Sequence, residues 1–192
     1  DGAEVTSFPL AGTTRTTGDP ALDEQLALEL QASDKNRIEH RVAMEMVRDT
    51  LLPYCSYLDW APEPTIVKVA NVQHLGSQAM GMLSQPGPTV IDLVRALQPT
   101  PAVGGHPRES AIDLIVEHEG FERGRYGGAV GWCDAAGDGT WAVTLRCAEL
   151  ADDGHTARLV AGGGIVAESE PLAELAETQA KFQAMLSAIV RP

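Results

Sequence analysis

Residues 126–147 read YGGAVGWCDAAGDGTWAVTLRC. Two short apolar runs, YGGAVGWC and TWAVTLRC, flank DAAGDG at 134–139, whose glycines and aspartates supply a hairpin turn. ARLVAGGGIV, 157–166, reads as a third strand of the same meander. Upstream the period changes. Asp19 and Pro20 form an N-cap and N1 pair for a helix through about Ala32. Ser33 can cap a second helix, whose Ile38, Val42 and Met46 recur every four residues until Pro53. TIVKVANV, 65–72, is a strand candidate, and helices are expected at 76–82, at 89–97 and from about Glu109, after the Pro/Gly loop LQPTPAVGGHP at 97–107. The opening 20 residues read as a strand leading into a loop, and a capped helix starting near Ser169 and Pro171 closes the chain. Helices mixed with a strand meander make the fold class α+β.

The chain has 192 residues, a length that suits one domain or a piece of a larger one, and it shows no internal repeat, low-complexity tract or linker. Fourteen basic residues against 27 acidic ones give a net charge of −13, which argues against a nucleic-acid partner. The same charge disfavours long-range capture of an anion, so an anionic ligand needs a local Arg or a metal. No apolar run approaches membrane-spanning length and no signal-peptide pattern opens the chain, so a cytoplasmic protein without a membrane partner is expected. Cys55, Cys133 and Cys147 are odd in number and lack CxxC spacing, which suits reduced structural thiols.

Walker A, HExxH and GxSxG signatures are absent, and AGGGIV is not GxGxxG. Its three glycines say that another strand or a ligand approaches the backbone closely. On the closing helix Glu174, Glu177 and Lys181 share a stripe within about 60°, while Leu175, Phe182, Leu186 and Ile189 form a core stripe about 100° round. Two readings stay open: a solvated face with a Glu177–Lys181 pair, or carboxylates placed for Mg²⁺, a hard cation that takes oxygen ligands. In TWAVTLRC the pleat puts Arg146 on the face of Ala142 and Thr144, near a strand end suited to binding a carboxylate. Glu39 borders the Ile38/Val42 stripe, and His74 follows a strand, as a ligand-orienting group or a satisfied histidine.

The ordered set of motifs resembles the chorismate-binding enzymes, most closely the isochorismate synthases. The matching pieces are PLAGT (9–13), SDKNRIEH (33–40), VQHL (72–75), PTPAVGGHP (99–107), RGRYGGAVGWCD (123–134), GDGTWAVTLRCA (137–148), AGGGIV (161–166) and AETQAKFQAML (176–186). The resemblance implies the C-terminal half of an α/β/β/α sandwich like that of anthranilate synthase component I, an antiparallel sheet with covering helices. It implies Glu39 and Glu177 as Mg²⁺ ligands with Glu174 nearby, so that the metal holds one chorismate carboxylate. Arg146, Tyr126 and the Gly162 backbone would hold the other. Lys181 would sit beside the metal-bound carboxylate, Gly12 and Thr13 would contact the ring side, and His74 would line the pocket.

The reaction implied is addition of water at ring C2 with loss of the 4-hydroxyl, giving isochorismate for siderophore or menaquinone synthesis. Ala102 stands where salicylate-forming relatives carry Thr, which favours stopping at isochorismate, and GTTRTTG lacks the GTRPRG form usual in the aminating members. Gln98, Gly163 and Asn36 depart from the family's usual His, Ala and Asp. The family's water-activating Lys and its general-acid Glu lie upstream of residue 1, so this chain carries no catalytic pair and is expected to be inactive alone. The intact enzyme is expected to be a monomer, while exposed apolar surface makes self-association of this portion a hazard. The alternatives are a salicylate- or anthranilate-forming enzyme, or a module that binds chorismate without turnover.

Overall fold

Asp19 begins the first helix as its side chain suggests, accepting from the backbone N–H groups of Ala21 and Leu22. A computed structural model of the chain describes residues 2–69, 72–167 and 169–190, apart from the side chain of Ala184. Contacts group the chain into two units, Asp1–Pro101 with Gly131–Thr140, and Ala102–Val130 with Trp141–Pro192.

The first unit opens with β1 (Glu4–Ser7) and β2 (Leu10–Arg15), followed by α1 (Pro20–Ala32) and α2 (Asp34–Leu51). A 3₁₀ turn at Leu52–Tyr54 leads into β3 (Cys55–Trp60), β4 (Thr65–Val69), β5 (Val72–Gly76), β6 (Ala79–Leu83) and α3 (Val90–Leu97). Two antiparallel sheets result, ordered β1-β6-β3 and β2-β5-β4. Met44, Val47 and Leu51 of α2 form a core with Ala79 and Leu83 of β6 and Leu93 of α3. In the second sheet Gln73 is fully buried, and its Nε2 donates to the Asp23 carbonyl at 2.9 Å, while its Oε1 has no hydrogen-bond partner among the described residues.

Three expectations for this unit change. The helix at 76–82 is instead β6, where Ala79, Gly81 and Leu83 are buried while Met80 and Met82 are exposed, a period of two set by pairing on both sides. The strand at 65–72 is two strands, β4 and the start of β5, with Ala70 and Asn71 outside the described residues. The buried stripe of α2 is His40, Ala43, Met44, Val47 and Leu51, so it lies two residues on from Ile38 and Val42. Ile38 is instead exposed. The helices at 20–32, 34–51 and 90–97 match their sequence signals, and Thr89 with Asp92 completes a capping box on the last.

Along the chain the short α4 (Pro101–Gly104) and α5 (Arg108–His118) precede β7 (Ala129–Cys133) and β8 (Gly139–Val143), of which residues 131–140 belong to the first unit. These strands pair through the expected 134–139 turn, where Asp134 N–H donates to the Asp138 carbonyl. β9 (Ala148–Leu150) and β10 (Ala157–Leu159) form a separate antiparallel ribbon, so the expected three-strand meander is two hairpins. The chain then runs irregularly through the glycines into α6 (Pro171–Val190).

α6 overturns the expected burial. Leu175, Leu186 and Ile189 are 53%, 39% and 43% exposed, whereas Glu174 on the charged stripe is 9% exposed. Among the described residues no cysteine is paired and no helix is long and apolar enough to cross a membrane.

Candidate active site

In the first unit the β2–β5 pair gathers three of the expected residues. Gly12 lies at an irregularity in β2, where the register with β5 shifts between Ala11 and Thr13. Its φ of 73° is left-handed, which glycine tolerates. A Cβ there would meet Asn36 of α2 at 3.0 Å, so the missing side chain lets β2 lie against that helix. The shift sets Thr13 opposite His74. His74 Nδ1 lies 3.0 Å from Thr13 Oγ1 and 3.3 Å from the Gly12 carbonyl oxygen. Glu39 is half-buried on α2, next to the buried His40.

In the second unit the glycine run lies against Glu174 and Lys181 of α6. The Lys181 ammonium donates to the Gly162 carbonyl at 3.0 Å and pairs with Glu177 Oε1 at 2.6 Å. Glu174 Oε1 accepts from Ser169 Oγ at 2.7 Å. A Cβ on Gly163 would stand 3.0 Å from Glu174 Oε2, and one on Gly162 would stand 3.5 Å from the Tyr126 hydroxyl. The glycines therefore admit charged groups to the backbone. Tyr126 is half-buried, and that burial pushes its phenol above the usual range, against the pull of the Arg123 and Arg146 cations.

Arg146 does not sit on a continuing pleat. β8 stops at Val143, the Leu145 N–H donates back to the Val143 carbonyl at 3.0 Å, and Arg146 itself has φ 50°. Among the described residues it is the one non-glycine in the left-handed region. Such strain costs of order 1–3 kcal/mol and clusters at functional sites. Thus Tyr126, Gly162, Glu174, Glu177 and Lys181 form one connected set, with the Arg146 charge acting on Tyr126. Ala102 is exposed on α4 and joins the set through its neighbour Val103, which lies against Gly127.

Sequence reasoning gave no role here to Ser169 beyond a helix cap, nor any to Glu119 and Arg123. The i,i+4 spacing of the latter pair was the available signal. The donors of α6 suit Mg²⁺, which takes carboxylate oxygens and commonly uses one or two of them beside ligand oxygens and water. Among the described residues no group of three His, Cys, Asp or Glu side chains forms a metal cage. Glu174 and Glu177, one turn apart on a helix, are the oxygen donors of this unit that could hold the ion.

A model of the family described as chorismate binding enzyme matches residues 1–190. The chain belongs to that family. Isochorismate synthase DhbC of Bacillus subtilis (strain 168) is 45% identical over 188 residues, covering 98% of this chain and 47% of that protein. Isochorismate synthase EntC of Escherichia coli (strain K12) is 38% identical over 187 residues, covering 97% of this chain and 47% of that protein. The chain spans about half the length of the curated relatives it matches. Among solved structures, DhbC from Bacillus anthracis superposes with a TM-score of 0.95 at 44% identity, covering 100% of this chain and 51% of that one. Anthranilate synthase component I from Streptococcus pneumoniae TIGR4 does so with a TM-score of 0.83 at 29% identity, covering 96% of this chain and 40% of that one. The chorismate-binding membership and the anthranilate synthase component I-like α+β fold expected from the motifs therefore hold.

Proposed function

We propose that this chain is part of an isochorismate synthase that converts chorismate to isochorismate with Mg²⁺. The observation that carries the reading is the placing of Glu174 and Lys181 of α6 against the glycine run, with Lys181 bound to both Gly162 and Glu177. α6 buries Glu174 and most of Lys181 while Leu175, Ile189 and Glu177 stay exposed, and buried charge on a helix marks a candidate functional site. Chorismate carries two carboxylates, and a chain of net charge −13 needs local cations to receive them. The isochorismate synthases named above, at 38–45% identity, support the same substrate.

In this reading Arg146 and the Tyr126 hydroxyl bind the pyruvyl carboxylate, and the Gly162 backbone lies beside it. Glu174 and Glu177 would hold the metal, with Glu39 added on the family resemblance alone. When bound, the ion supplies charge neutralisation and a template for the ring carboxylate. Lys181 orients Glu177 and fixes the glycine loop. Gly12, Thr13 and His74 are assigned to the substrate on the same resemblance. The reaction is an isomerisation: water adds at C2, the double bonds shift, the 4-hydroxyl leaves, and no electrons are exchanged. It needs a base for the water and an acid for the leaving group. Of the three lysines, Lys181 is already a donor to two partners, and Lys35 and Lys68 sit in motifs other than the one that carries the family's catalytic Lys. The isolated chain is therefore expected to turn over little chorismate, since acid and base groups each contribute about 10²–10⁴ in rate.

The test incubates the full natural protein and this chain separately with chorismate and Mg²⁺, and separates the products by chromatography. Isochorismate from the natural protein, abolished by EDTA and absent from this chain, is the expected result. Turnover by this chain alone would place the acid and base within it and overturn the assignment. The likeness to anthranilate synthase component I favours a second reading, another chorismate-consuming reaction. Anthranilate or salicylate as the product would establish it, and Ala102→Thr should increase pyruvate release if position 102 sets the outcome.

A further inference from the structure

Arg123 lies in the RGRYGG motif, and its guanidinium spends every nitrogen inside the protein. Nε and Nη2 form a two-pronged pair with the Glu119 carboxylate, at 2.7 and 2.5 Å. Nη1 donates to the Val103 carbonyl at 2.7 Å, and the same plane lies 5.8 Å from the centre of the Tyr126 ring. One side chain thus joins the end of α5, the α4 turn that carries Ala102, and the ring of Tyr126. A planar fork can hold a carboxylate, a carbonyl and a ring face at once, which a lysine cannot.

The consequences run towards the substrate groups. The Val103 side chain packs where Gly127 has no Cβ, and the Gly127 N–H donates to the Thr144 carbonyl at 2.9 Å, two residues before Arg146. The Tyr126 hydroxyl in turn stands at Gly162. The same loop is pinned from its other side by the β9–β10 ribbon. Glu149 accepts from the Arg125 N–H at 3.4 Å, while its register partner Arg158 donates to the Glu122 carbonyl and lies over Phe121 at 5.6 Å.

We infer that Arg123, held by Glu119, is a positioning residue that sets Tyr126 and the Ala102 turn for substrate without touching it. The inference rests on the functional reading above. It is tested in the full natural protein with Arg123→Gln, Arg123→Lys and Glu119→Gln, by steady-state kinetics and by amide exchange resolved to peptides. Arg123→Gln should lower kcat/KM by about 10- to 100-fold, chiefly through KM, because small misplacements of a binding group have effects of that order. Arg123→Lys should recover only part, and Glu119→Gln should lose less than Arg123→Gln. Exchange should quicken at 102–104 and 126–128 and stay unchanged in α1 and α2, which separates local loosening from unfolding. Wild-type kinetics for Arg123→Gln would overturn the inference alone, and so would lost kinetics without local loosening, which would indicate direct substrate contact. A natural protein that makes no isochorismate would overturn the functional reading, and the inference would fall with it.

Discussion

Gly127→Ala tests the close approach on which the Tyr126 loop depends. Gly127 has φ 75°, and a Cβ built there would lie 2.2 Å from Cγ1 of Val103, itself 9% exposed. Carbon atoms rest at about 3.5–4.0 Å, so the loop or the α4 turn must move by more than about 1 Å. Left-handed strain on alanine costs roughly 1–2 kcal/mol, and overpacking a filled site costs about 1–3 kcal/mol. The expected loss is therefore about 2–5 kcal/mol. Gly154→Ala supplies the reference, because Gly154 has φ 68° in the same unit with nothing within 4 Å of its would-be Cβ. It should lose only the strain. Urea unfolding followed by tryptophan fluorescence measures both, and at a slope of about 1–3 kcal/mol/M the clash corresponds to an extra midpoint shift of about 1 M. If Gly127→Ala loses no more than Gly154→Ala, Val103 is not seated on Gly127 and the argument for a tied Tyr126 loop is wrong.

Lys181→Met removes the donor to both Gly162 and Glu177, charge-assisted bonds worth about 1.5–3 kcal/mol, so kcat/KM of the natural protein should fall about 10- to 100-fold. Unchanged kinetics would remove Lys181 from the site. His40 is 3% exposed, and burial holds its pKa below the ordinary 6.5. The unfolded chain therefore takes up the proton first, and stability should decline as pH falls below 6.5 towards the folded pKa, by at most about 1.4 kcal/mol per pH unit. Denaturation of wild type and His40→Leu at pH 7.5 and 5.5 checks this, and parallel pH slopes for the two would contradict it. Leu175→Lys with Ile189→Lys should change stability by less than about 0.5 kcal/mol each while reducing self-association in sedimentation velocity, because both side chains face outward. Unfolding of that variant would mean the stripe is buried after all.

Local signals were legible where the information is local. Asp19, Ser33 and Thr89 cap the helices that follow them, and DAAGDG turns the β7–β8 hairpin, because a cap or a turn is decided within a few residues. The ordered motifs identified the family and named the residues that the structure gathers around Gly12–His74 and around Gly162–Lys181. Tertiary structure decided what depends on neighbours far along the chain. AMGML became β6 because strands from both sides pair with it, which no window of five residues reveals. Arg146 left the pleat because β8 ends at Val143. On α6 periodicity found both stripes but not which one faces inward. Hydrophobicity would have buried Leu175 and Ile189, yet the fold turns Glu174 and Lys181 inward, where Ser169 donates to Glu174 and Lys181 donates to Gly162 and pairs with Glu177. A stripe's direction depends on what the rest of the chain sets against it, and a charged stripe can lie inside once partners there repay its desolvation.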